Sequence, residues 1–395
     1  MKSVLAGTKV LDFSRIFAGP DAAQTLGDLG ADVLKIEDPG KGDGCRSLGT
    51  TDPKMMGYGP TFQAFNRNKR SMTLDLKSDE GREIARKLIA DADVVISNFR
   101  TGTMDKFGLG YEDVRKLNPR LIYCELHAFG DKGPMSHIGA NDLQLQAHSG
   151  LAAITGDGNG PPNRAGSAIV DLHAGMSLVA GVLAAIIHRD RTGEGQKVTT
   201  SLLQSSAHLM GYFYQEYWVT GYVHRAMGTA THLSVPNQAF PTKDGYTVII
   251  APTQEMYLRC VEALEAPHLL TPPFDTREGR MQNRDALIEV MSEVTRQFTS
   301  QEVYERMGRV KVNVAIVQDV AQAANHPQLE AIGGIHHAEI DGEDRRFVAS
   351  PFTMSETPTA FRTPAPRLGA HTDEVLSSLG YSAEEIAALH QNGAV

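Results

Sequence analysis

The chain has 395 residues with Lys+Arg 38 against Asp+Glu 47, a formal net charge of -9 at pH 7, and 41% hydrophobic and 22% charged content. That length exceeds a single small binding module and predicts two compact units, or one large unit carrying an insertion. The acidic balance is the wrong sign for neutralising a phosphate backbone over a broad surface, which excludes a nucleic-acid coat but not a local basic pocket for a small anion.

Three cysteines, Cys45, Cys124 and Cys260, are widely spaced and form no C-x-x-C pair. Neither a disulfide framework nor a cysteine metal site is expected, and a reducing cytoplasm is the compartment that fits. Polar residues interrupt the first ten positions before any secretion-type apolar stretch develops. The longest apolar run, 178–187, falls short of the roughly 20 residues that span a bilayer and predicts a buried helix rather than a membrane segment.

In chain order, residues 9–13 read as a strand, 20–29 as a helix ending at Gly30, and 32–37 as the next strand. The βα alternation repeats. Ser78, Asp79 and Glu80 open a helix to residue 89 with acids suited to its N-terminal dipole, 93–97 is a strand, and 121–126 another. Strands alternating with helices imply a parallel sheet. A Gly-rich stretch at 156–162 precedes a long apolar helix predicted over about 173–189, a strand at 197–202 and a helical region to about 217. Beyond Pro241 the texture changes: a Lys243-Asp244-Gly245 turn, a strand at 246–251, and helices over 255–264, 284–298 and 300–307. A Pro-rich stretch at 357–366 and helical pieces at 373–379 and 383–389 close the chain. The fold class is α/β, with a smaller second domain of different texture beyond Pro241 that ends near residue 330.

Motifs alone decide little. No G-x-G-x-x-G joins a strand to a helix, but Phe17-Ala18-Gly19-Pro20 places a Pro at a helix start and can offer amides to a phosphate. No H-E-x-x-H or G-x-S-x-G occurs, and the adjacent His336-His337 should diverge on any regular element. Arg67-Asn68-Lys69-Arg70, with Lys77 and Lys106, reads either as a phosphate clamp or as a solvated face. Asp171 stands at the junction between Ala168-Ile169-Val170 and the apolar helix, where a carboxylate either caps the helix or does chemistry.

Seven segments taken together resemble the class III CoA-transferases, the family of carnitine and formyl-CoA transferases. They are residues 10–20, 29–37 with Gly42, Asp43 and Arg46, 68–77, 92–99, 166–171, 192–198 and 367–376, in the family's order and over nearly the whole chain. The resemblance implies a large Rossmann-like CoA-binding domain from residues 1–220 and 331–395, a smaller inserted α+β domain with linkers at 221–330, and an interlocked homodimer whose chains thread through each other. It also implies Asp171 as nucleophile, in place of the cap reading. CoA-contacting positions fall on Phe17, Ala18, Leu74, Asp75, Leu76, Lys77, Asn98, Phe99, Arg100 and Lys106. In such chemistry CoA passes from an acyl-CoA to a free carboxylic acid through an aspartyl mixed anhydride and an aspartyl-CoA thioester. The acyl-CoA is a substrate; no permanently bound cofactor and no metal is required, and neither nucleic acid nor membrane is an expected partner.

Two departures bear on substrate. Phe17 replaces the glutamine of formyl-CoA transferase, and no glycine run lies between Pro236 and Gly245. Asp38 stands where a basic residue follows the second strand, leaving Lys41, Arg46 or Arg70 to meet the adenosine end of CoA. The related α-methylacyl-CoA racemases need a histidine where this chain has Asn141 and an acid where it reads Ile250-Ala251-Pro252-Thr253, which disfavours α-proton transfer. An inactive partner subunit is the remaining alternative. Tyr212, Tyr214, Tyr217, Trp218, Met227 and His232 are candidates for lining the acid-binding cleft or for dimer-interface core.

Overall fold

The computed structural model describes residues 3–52 and 55–395. Two compact units divide the chain: one takes residues up to Ser149, Gly166–Tyr214 and Leu329–Val395, the other Gly150–Ala165 and Gln215–Gln328. Residues 150–165 thus join the smaller unit, which a cut at 221 alone does not separate. Their link is local, the Gly228 amide donating to the Gly156 carbonyl at 2.6 Å.

The larger unit is built on six parallel strands: β1 (Lys9–Asp12), β2 (Asp32–Glu37), β3 (Lys69–Thr73), β4 (Val94–Ser97), β5 (Ile122–His127) and β6 (Lys197–Ser201). Their order is β3-β2-β1-β4-β5-β6, a doubly wound sheet whose strand order reverses between β1 and β4. Val10 pairs with Val33 on one side and Val94 on the other, and all three are buried, as a sheet covered on both faces requires. The helix Asp79–Ala90 starts where expected: the Ser78 hydroxyl accepts from the Gly81 amide, and Ile84, Ala85 and Ile89 turn inward.

β3 escapes hydrophobic pattern reading because one of its buried faces is made of paired polar and charged groups. Lys69 Nζ lies 2.9 Å from Asp12 Oδ2, and Ser71 donates to Glu37 at 2.7 Å. The basic run 67–70 is accordingly taken up by ion pairs: Arg67 is buried against Asp28 at 2.6 Å, and Arg70 alone meets solvent, pairing with Asp32 and Glu374 at the amino end of its strand. Burial pulls Lys69 down to about 8 despite Asp12 beside it.

The C-terminal segment completes this unit. Helices Thr372–Ser378 and Ala383–Gln391 bury Val375, Leu376, Ile386 and Leu389 in the same core as Leu11, Leu34, Met72 and Ile84, and the Asp75 amide donates to the Ala394 carbonyl at 2.8 Å. A hairpin precedes them, β10 (Ile335–Ile340) and β11 (Glu343–Val348), closed by Asp341 and Gly342 at φ 54 and 80. Those two positive φ values are the signature of a type I′ turn.

The long helix runs Ile169–Thr192, 24 residues, and by length and composition alone is apolar enough to cross a membrane. Here Val170, Ala174, Gly175, Leu178, Val179, Val182 and Ala185 are buried, and Gly175 meets the start of the Ala18–Asp28 helix. In the smaller unit β7 (Asn237–Pro241), β8 (Tyr246–Ile250) and β9 (Asn313–Ile316) form an antiparallel sheet over a core of Phe240, Ile249, Tyr257, Leu287, Met291 and Val303.

Candidate active site

At the carboxyl ends of β1 and β4, where strand order reverses, an open α/β sheet forms its ligand crevice. The loop after β1 is bolted there from several directions. Asn98, following β4, accepts the Arg15 amide at 2.9 Å and donates to the Arg15 carbonyl at 2.7 Å. Lys35 donates to the Ser14 carbonyl at 2.7 Å, and the Ile16 amide donates to Asp43 at 3.1 Å. These bonds hold Ile16 at φ 73, an unfavourable backbone for a β-branched residue. Gly19 is required by closeness: a Cβ there would stand 2.3 Å from that of Ser14.

The helix Ala18–Asp28 begins at this loop with no side-chain cap. Its first internal bond runs from the Asp21 amide to the Phe17 carbonyl at 2.8 Å, and Pro20 has no amide, so the Ala18 and Gly19 N–H groups remain to face an anion.

Asp171 occupies the third position of the long helix and does not cap it. That role belongs to Asp142, itself the first residue of the helix Asp142–His148: one carboxylate oxygen accepts the amides of Val170 at 2.8 Å and Asp171 at 3.3 Å, and the other accepts from Gln146 at 2.5 Å. Burial, with the Asp142 carboxylate adjacent, pushes the Asp171 carboxyl up to about 7. A carboxyl this basic is only half ionised at neutral pH, and once ionised it is more nucleophilic than an ordinary carboxylate.

One cavity of about 500 Å³ is lined by Asp171 together with Phe17, Ala18, Asn98, Phe99 and Arg100. A neighbouring hollow of about 230 Å³ is lined by Leu74, Asp75, Leu76 and Lys77, and the two share Arg15 and Phe99. Ten of the eleven residues singled out from the sequence therefore line two adjoining spaces. Lys106 lines neither; it is exposed at the end of the short helix Thr103–Lys106, whose Thr103 reaches the smaller hollow.

Arg46 is not available to a ligand. It is buried in a bidentate pair with Glu37 at 2.8 and 2.6 Å, its guanidinium over the Phe62 ring at 3.8 Å. Arg70 is likewise committed away from the crevice, which leaves Lys41, exposed in the turn after β2, of the three proposed partners. Sequence reasoning passed over Arg15, which lies 5.1 Å from the Phe99 ring, and Thr101 and His127, joined at 3.1 Å on the wall of the larger cavity. Arg15 stands inside the 10–20 segment, so the signal was present but its role depends on a fold contact. Asn141 spends its side chain on the Gln144 amide in a capping box and carries no titrating proton.

Comparison with known proteins identifies the family. Residues 5–372 match the model of CoA-transferase family III. The chain is 32% identical to a succinate–glutarate CoA-transferase of Agrobacterium fabrum, covering 96% of each chain, and 36% identical to a succinyl-CoA:mesaconate CoA-transferase of Haloarcula hispanica, covering 94% of this chain and 95% of the relative. A crystal structure of a CAIB/BAIF family protein from Brucella suis superposes with a TM-score of 0.86 at 31% identity, over 96% of this chain and 100% of that one. The chain belongs to CoA-transferase family III and is an enzyme of that class.

Proposed function

We propose that the protein moves CoA from an acyl-CoA to a free dicarboxylic acid, with Asp171 as the covalent nucleophile. The carrying observation is the placement of Asp171 on the cavity that the β1 and β4 loops line, with its carboxyl raised to about 7 by burial and by the Asp142 carboxylate. Ionised Asp171 attacks the thioester carbonyl; the C–S bond breaks, giving a mixed anhydride and CoA thiolate. The thiolate attacks the aspartyl carbonyl, releasing the first acid and leaving an aspartyl-CoA thioester. The acceptor carboxylate attacks that thioester and frees the thiolate again, which takes the acceptor's acyl group and restores the Asp171 carboxylate. Each intermediate keeps the donor's activation, so no nucleotide is consumed.

The amides of Ala18 and Gly19 suit the oxyanion of these attacks, since those of Val170 and Asp171 are engaged by Asp142. Phe17, Asn98, Phe99 and Arg100 would hold the arm of CoA that carries the thiol, and Leu74, Asp75, Leu76 and Lys77 its nucleotide end, with Lys106 outside both spaces at their margin. Substrates of the succinate, glutarate and mesaconate class are inferred from the names of the relatives. The same reading takes the enzyme as a cytoplasmic, interlocked homodimer; Tyr212, Trp218 and Val219, exposed at 63, 70 and 73% on the helix Gly211–Thr220, suit burial against a second copy. The decisive experiment incubates the enzyme with succinyl-CoA and hydroxylamine and maps the label: hydroxamate on Asp171 is expected, and transfer by a folded Asp171→Ala variant refutes the nucleophile.

A further inference from the structure

Outside the crevice, the smaller unit gathers three metal-competent side chains from separate stretches of sequence. Glu216 lies on the helix Gly211–Thr220, His224 in the segment after it, and His232 beside the Thr231 to Ser234 bridge. His224 Nε2 stands 3.0 Å from Glu216 Oε2, and His232 Nε2 stands 3.3 Å from the same oxygen. One ligand atom from each lies within 4.8 Å of the others. We propose that these residues form a His2Glu site for a divalent transition-metal ion of the zinc type, independent of CoA transfer.

Spacing is the first argument. Bonds of about 2.0 to 2.1 Å in a tetrahedral shell put ligand atoms about 3.3 Å apart, and two of the three separations already stand near that value. Chemistry is the second. Two imidazoles and one carboxylate suit zinc, and three protein ligands leave one position for water. Packing is the third: the His224 and His232 rings meet edge to face at 4.5 Å, and Tyr222 stands edge-on to His224 at 4.8 Å, so the trio is preorganised on an aromatic support. The nearby Arg284 guanidinium is turned to the Ser234 carbonyl at 3.3 Å. By contrast, the adjacent His336-His337 pair diverges: His337 spends its two nitrogens on two different acids, Asp344 and Glu330, so nothing converges there. An ion at the His2Glu trio would pin the segment between the helix and β7.

Titration of the full-length protein with zinc by calorimetry tests this, alongside Glu216→Gln, His224→Gln and His232→Gln. The expected result is one zinc per chain with micromolar or tighter affinity, weakened at least tenfold by each substitution. Zinc should also raise the thermal midpoint of the parent protein and not that of the variants. Cobalt(II) bound to the parent protein should give the intense visible bands of a low-coordinate ion, a readout that does not depend on any variant folding. Absence of binding, binding that all three variants retain, or only the weak bands of a six-coordinate cobalt ion each overturns the site. None of these readouts involves acyl-CoA, so the outcome is separate from that of Asp171 labelling.

Discussion

Asp142 accepts the backbone amide of Asp171 at 3.3 Å and that of Val170 at 2.8 Å, so the residue that caps the long helix is also a charge that raises the Asp171 carboxyl. One contact thus does two things: it fixes where Asp171 points from, and it opposes Asp171's ionisation. Removing the charge while keeping an acceptor separates them.

Under the covalent reading only ionised Asp171 reacts. With its carboxyl at about 7, kcat/KM should fall about tenfold per pH unit below 7 and level off above it. Asp142→Asn keeps an oxygen for the helix amides and should move that limb to lower pH. An acid limb near the ordinary carboxylate value in the parent enzyme, or one that Asp142→Asn leaves in place, contradicts the assignment.

The same shift has a stability consequence. An unfolded chain ionises Asp171 near 3.8 and the folded one near 7, so between those values the folded state binds the extra proton and stability falls as pH rises. Asp171→Asn removes a half-buried charge and should stabilise the protein above pH 7 by roughly 1 to 3 kcal/mol, after allowing for partial exposure, with no gain at pH 4. Thermal midpoints of both proteins across this range check the sign, and a gain that is the same at both ends would mean the charge is not its origin.

Arg46 distinguishes a buried ion pair from a phosphate ligand. Arg46→Ala strands Glu37 inside the unit and should cost about 3 to 5 kcal/mol in urea unfolding. A variant of normal stability with a raised KM for acyl-CoA would restore Arg46 to the binding site.

Lys77 lines the smaller hollow and Lys106 does not, which predicts unequal effects. Lys77→Ala should raise the KM for acyl-CoA by about fivefold to thirtyfold, the worth of one charge-assisted phosphate contact, and leave that for the acceptor acid alone. Lys106→Ala should change it less. Equal constants for Lys77→Ala and parent would remove the hollow from the CoA path.

Much of the larger unit was legible because its strands obey simple patterns: β2 carries Val33, Leu34 and Ile36 between Asp32 and Glu37, over the residues predicted, and the Asp79–Ala90 helix announces itself with Ser78 and two acids. β3 was not legible, since Lys69, Ser71 and their partners are polar by sequence and buried only through pairing. The β10–β11 hairpin had its signal in Asp341-Gly342, but flanks such as Glu343-Asp344-Arg345-Arg346 hide a strand. Asp171 was visible as a carboxylate at a helix start. Asp142's claim on the amides there was not, because it spans 28 residues and two helices.

The long helix carrying Asp171 and the helix offering the Ala18 and Gly19 amides are spaced by a residue without a side chain. A Cβ on Gly175 would lie 2.7 Å from the Ala18 carbonyl oxygen and 2.9 Å from Asp21 Oδ2, closer than carbon tolerates. Backbone is the nearer obstacle, so Gly175→Ala must push the two helix starts apart rather than turn a flexible side chain. A displacement of even about 1 Å between nucleophile and oxyanion donors costs on the order of a hundredfold in rate. The expected outcome is a kcat about tenfold to a hundredfold lower with a smaller change in KM for acyl-CoA, because the hollow lined by Leu74 to Lys77 lies away from this contact. Stability should drop as well, since a buried clash has no solvent to relax into. Measuring kcat, KM and the urea midpoint together decides the matter: a loss of stability with kcat intact would mean that the spacing of these two helices supports the fold and not the chemistry.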